Sequence, residues 1–127
     1  DASADVYFVK KSFLADAANR DALAKLLHAD ATAWEIFLKD PAAAAKYIID
    51  KGFIDGLDLD QQTYQAEQQA SFMKTPLTAE KGILWVTPET FATNAQYLFD
   101  AKLANSLVDV TKMIDTSIIE KVAPPKY

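Results

Sequence analysis

The residue types that could carry chemistry are few in this chain and stand apart. There is one histidine, His28, on a stretch with helical periodicity. A helix that binds a metal needs a second ligand three or four positions on, and those positions hold Ala31 and Thr32. His28 therefore reads as a surface or core-edge residue. Asp30 and Glu35 are five apart and do not share a helix face, so they make no acid–base pair. Cysteine is absent, which removes disulfides, thiolate nucleophiles and Cys-based metal sites. No G-x-S-x-G elbow occurs, and a serine triad would need histidines beyond the one present. The three glycines, Gly52, Gly56 and Gly82, are too far apart to cradle a phosphate. Two tryptophans could stack on a flat ligand. Trp34 lies on an apolar helical stripe and reads as core. Trp85, between Leu84 and Val86 just after Gly82, is the single candidate for lining a cleft. The expectation is a chain with no catalytic residues, no metal and no cofactor.

Elements must position even this small set. The organising stretch is residues 19–52. Its first half carries Leu23, Leu26, Leu27, Trp34, Phe37 and Leu38 at spacings of three, four and seven, the period of a helix with one buried stripe. Asn19 is its expected N-cap, with Asp21 in the first turn. Asp40-Pro41 then caps and opens a second helix, where the missing proline N–H costs nothing, and Gly52 supplies a left-handed stop. The two helices are expected to pack as neighbours, the alanine run 42–45 allowing close approach.

Before them, Ser12 is placed to cap a short turn, SFLAD, and residues 4–10 (ADVYFVK) form a short β-prone run. Residues 6–9 are expected to make one buried strand, with 83–86 (ILWV) the only other strand candidate. An extended arm packed on helices is the alternative. A lone strand leaves its backbone groups unpaired, which points to a missing sheet partner. Downstream, Asp58 or Asp60 caps a polar helix over 61–73 with Tyr64, Ala66, Ala70, Phe72 and Met73 inward. Residues 74–81 read as a turn containing Pro76. Thr87-Pro88 opens a helix with the stripe Phe91, Ala95, Leu98, Phe99 and Leu103. Short extended and helical pieces follow to Pro124-Pro125.

Composition bounds the function classes. At 127 residues the chain fits a single domain, 1–127, able to bury a core, and half of its residues are apolar. The net charge of -5 disfavours nucleic acid, whose backbone needs clustered Lys and Arg. No apolar run is long enough to cross a bilayer. A start at Asp1 rather than Met suggests a processed or trimmed N-terminus, so the chain is expected to be a piece of something longer.

The order of these features resembles the C-terminal part of the extracytoplasmic solute-binding proteins of ABC importers, in the group that binds nitrate, sulfonates, taurine and thiamine pyrimidines. The resemblance begins at VYFVKKSFLADAANRDALAKLL. The family typically has a strand and then Phe-Leu-x-x-Asn-Pro-Glu-Leu running into a long helix. Phe13-Leu14 and Asn19 match, and Arg20 stands where the proline usually is. AWEIFLKDPAAAAKYIIDKG resembles the aromatic-rich helix, Asn/Asp-Pro joint and Ala-rich helix that follow. In the last stretch, Val108-Asp109 and Asp115-Thr116-Ser117 fill the closing Val-Asp and Asp-x-Ser positions.

The resemblance implies a helical C-terminal fragment, mainly α with one or two short strands, from a two-lobed α/β periplasmic-binding-protein (type II) fold. It also implies a periplasmic or extracytoplasmic location in a lipid-anchored or secreted parent, a small-molecule ligand and an ABC permease as partner. Most ligand contacts of the family come from segments outside this chain, so no binding residue is carried over and Trp85 stands alone. A chain lacking the rest of its lobe either persists as a helical remnant or covers its exposed strand edge by self-association. The competing expectation, from a different class, is a stand-alone helical protein-interaction module.

Overall fold

The computed structural model describes residues 6–126; residue 1 and the start of the 4–10 run, Ala4 and Asp5, lie outside them. Among the described residues the protein is mainly α, with no strand. A 3-10 turn at Phe13–Ala15 precedes α1 (Ala17–Lys39), α2 (Pro41–Asp50), α3 (Leu59–Met73), α4 (Pro76–Lys81) and α5 (Pro88–Asp100). A second 3-10 turn at Val110–Met113 leads to α6 (Ser117–Val122).

Each main helix starts on a side chain that satisfies an otherwise orphan amide. α1 begins two residues before the expected cap: Asp16, in an extended conformation, accepts from the Ala18 N–H at 2.7 Å, and Asn19 falls inside the first turn. Asp40 accepts from Ala43 N–H at 2.9 Å with Pro41 at the first helical position, as the sequence suggests. α2 stops where the left-handed Gly52 (φ 62°) donates its N–H to the Ile49 carbonyl. Asp58, not Asp60, caps α3. The expected turn over 74–81 is instead helix α4, held by a reciprocal Thr75–Thr78 capping box before Pro76. Ser12 makes no side-chain cap, although the turn after it forms.

The core gathers on the far half of α1. Ala31 and Leu38 on α1, Ala70 on α3 and Ile83 after α4 are buried together, with Trp34, Phe37, Met73 and Leu84 packed around them. α2 lies along α3, where Ala45 and Ala66 are buried, and the small side chains let the axes approach. On α3 the inward stripe is Ala66, Ala70 and Met73, at the i, i+4, i+7 spacing of one face. Tyr64 and Phe72 fall off it and are exposed, correcting the expected inner face. Leu26 is likewise exposed while its neighbour Leu27 is buried.

The two expected strands do not form. Residues 6–9 form no strand and are exposed, Phe8 at 91%, with the Tyr7 hydroxyl donating to Asp30 on α1. At 83–86, Leu84 adopts a positive φ of 66°, which breaks the alternation a strand requires. One bond of sheet type survives there: the Ile83 N–H donates to the Pro125 carbonyl at 3.0 Å. The tail thereby crosses the turn after α4, and Gly82 (φ 102°) lies so close that an added Cβ would collide with the Pro124 carbonyl.

Candidate functional site

One polar cluster joins the first turn of α1 to the start of α6. Arg20, in the first turn of α1, sends one guanidinium nitrogen to the Ser117 hydroxyl and the other toward Asp115 Oδ2 at 3.6 Å. Ser117 donates its hydroxyl and its backbone N–H to Asp115 Oδ1, the latter at 2.9 Å. The serine thus accepts from the cation and donates to the anion, which fixes its proton. These hydrogen bonds, with the serine's first and Arg20 after it, hold the Asp115 carboxyl below its ordinary value of 3.8. Behind the cluster, Ile118 and Ile119 are buried where α6 packs on α1. The arrangement is a clasp: a satisfied Asp–Ser–Arg network without a histidine or other base to activate the serine. Sequence reading noted all three residues but could not join them, since Arg20 and Ser117 are 97 positions apart.

Beside the clasp, an open groove is lined by Val9, Lys10, Ser12, Phe13 and Asn19. Val9 and Phe13 supply apolar lining, and Lys10, Ser12 and Asn19 offer hydrogen-bond donors. A second groove runs between α5 and the chain after it, lined by Ala92, Gln96, Leu107, Val108, Asp109 and Val110. Asp109 is held below its ordinary value by the Thr111 hydroxyl first and then by Lys112.

The residues singled out by type are not brought together. His28 is exposed. Asp30 accepts a hydrogen bond from the Tyr7 hydroxyl, whereas Glu35 pairs with Lys39 at 2.8 Å, so the two carboxylates work separately. Trp34 packs edge-on against Phe37, ring centres 5.1 Å apart, as a core residue. Trp85 is half-buried in the turn between α4 and α5 and lines neither groove. Among the described residues no group of three or more His, Asp or Glu side chains converges as a metal site would require. Nor is any helix there long and apolar enough to cross a membrane.

No protein-family profile, curated protein or solved structure matches this chain.

Proposed function

We propose that this chain is part of the substrate-binding component of an ABC importer, in the group that takes up nitrate, sulfonates, pyrimidines or flavin-like molecules outside the cytoplasmic membrane. The observation that carries the reading is the clasp. Arg20 belongs to the opening stretch of the resemblance and Asp115 and Ser117 to its closing one, and the two meet in space. A stretch of lobe whose α1 is locked to α6 has the rigidity that a two-lobed clamp needs, because hinge closure moves lobes as bodies. Residues 6–9 carry exposed apolar side chains, Phe8 most of all, and in this reading they are a surface on which the remainder of such a lobe would sit. In this reading the ligand lies between lobes, the groove beside Lys10, Ser12 and Asn19 contributes donors for an anionic head, and Trp85 is the aromatic candidate.

The test is a melting-shift screen on the longest form of the protein that its gene encodes, with nitrate, small sulfonates, aminopyrimidines and flavins as ligands. A rise in melting temperature with one member of the panel is expected. A flat response to all of them overturns the reading.

A second reading, a stand-alone helical interaction module, is favoured by one observation, the lack of any strand among the described residues. Deleting residues 1–11 from the longest form separates the two. A module keeps its melting temperature, whereas a solute-binding lobe loses cooperative unfolding.

A further inference from the structure

The last stretch of the chain has little of its own to keep it folded. α6 has six residues, well short of the roughly 12–15 at which an isolated helix becomes even marginal in water. It is helical because it lies on α1, and three ties hold it there. At its start the clasp joins Asp115 and Ser117 to Arg20. In its middle Ile118 and Ile119 are buried where the helix meets α1. Past its end Pro124 is buried beside Gly82, and the Pro125 carbonyl accepts from the Ile83 N–H at 3.0 Å.

That crossing is strained on both of its strands. Among the described residues three that are not glycine have a positive φ, and two of them flank the crossing. Leu84 (φ 66°) directly follows Ile83, and Ala123 (φ 47°) directly precedes Pro124. A residue with a Cβ stays in the left-handed region only while surrounding contacts impose it, and it relaxes when they let go. Just upstream of the segment, residues 111–113 are exposed, so little packing there resists its movement.

We propose that residues 115–125 are a strap that opens and closes as one unit, and that its state sets the turn at 82–86 and the placement of Trp85. Closed, the strap covers Ile83 and holds Leu84 left-handed, which fixes how the chain leaves toward Trp85, one residue on. Open, the Ile83 amide loses its acceptor, Leu84 relaxes, and Trp85 leaves its half-buried position. The clasp is the release. It is the charged tie of the three, and its Arg20 and Asp115 side chains are 27% and 40% exposed. Breaking it loosens the strap while α2 and α3 stay packed, since segments held by few buried contacts open below the global unfolding free energy. The strap does not rest on the transport reading. A silent ligand screen leaves it standing, and its own failure leaves the clasp as a static tie within that reading.

Residue-resolved amide hydrogen exchange by NMR on the 127-residue chain tests it. The amides of Ile83 and Glu120, corrected for intrinsic rates, are expected to share one opening and to exchange ahead of α2 and α3. Arg20→Ala should speed both about 5-fold. Ala123→Gly, which removes the left-handed strain from the closed form, should slow both about 3-fold. The amides of α2 and α3 keep their rates in both variants, and the Trp85 indole resonance moves in Arg20→Ala. An Ile83 amide that follows α2 and α3 and ignores Arg20→Ala overturns the proposal. So does an Arg20→Ala that speeds α2 and α3 as much as Ile83, because the loss is then global. Should circular dichroism show Arg20→Ala unfolded, Ala123→Gly decides alone: slower exchange at Ile83 supports the strap, and an unchanged rate overturns it.

Discussion

The helices around α1 and the helix α5 start on the same local signals and reach different states. α2 and α5 both open on a capping side chain followed by proline, Asp40-Pro41 and Thr87-Pro88. α2 then buries Ala45 against α3, and α1 and α3 contribute Ala31, Leu38 and Ala70 to the common core. α5 packs mainly on the short Val110–Met113 turn, and none of its residues is fully buried. It even holds the Oδ1 of Asn94 out of solvent without a hydrogen-bond partner, a cost the α1 side avoids. Local signals set where a helix begins; what the helix is worth depends on a second surface.

The largest effect should come from removing that second surface at its centre. Ile83 is 1% exposed, and Ile83→Ala should lower stability by about 2–5 kcal/mol in chemical denaturation. Phe99→Ala on α5, measured at concentrations too low for association, should cost less than about 1 kcal/mol. Equal losses at the two sites would erase the contrast. Gly82→Ala comes next, at about 1–3 kcal/mol, because φ is 102° and the new methyl meets the Pro124 backbone. Amide exchange should show its consequence in residues 117–126 before it shows in α5.

The clasp gives smaller effects. Arg20→Ala should cost about 1 kcal/mol, and Ser117→Ala about the same, with no additivity because they share one network. Asp115 also gives this end of the molecule an acid dependence. Its folded value is depressed, so its contribution is complete above the ordinary carboxylate value and is lost as pH falls through the folded one. Melting curves from pH 5 downward should therefore show wild type losing its advantage over Asp115→Asn. The change stays below about 1 kcal/mol, since the carboxylate is 40% exposed and solvent screens it. Smallest, and opposite in sign, is Lys102→Gly. It relieves a left-handed residue at the end of α5 and should raise stability by less than about 1 kcal/mol. A gain there much larger than that would mean that the α5 end, rather than its bare face, limits the region.

What the sequence made legible follows the same division. Asp40-Pro41, Gly52, Asp58 and Thr87-Pro88 were readable because a cap is a local event between a side chain and amides three residues away. Thr75-Pro76 carried the same signal, but the helix it opens has only six residues, too short for a periodic stripe to support it. The β-prone runs at 6–9 and 83–86 misled because propensity describes a fit to a half-buried sheet surface, and no such surface is beside them. Tyr64 and Phe72 were assigned inward by apolarity, whereas the alanines facing α2 set the register. The clasp had no local trace at all, since charge complementarity between Arg20 and Asp115 is invisible until the chain closes. Of the residues singled out by chemical type, Trp34 went to the core and His28 to the surface, as their surroundings in sequence suggested.

The crossing of the tail over Gly82 and Ile83 has a consequence for synthesis. The backbone partner of Ile83 is Pro125, so during translation the apolar centre of the fold stays open until Pro125 has emerged. At about 5–20 residues per second, the roughly 40 intervening residues take a few seconds. Throughout that interval the nascent chain presents an unsealed apolar site, the kind of surface that a ribosome-associated chaperone holds.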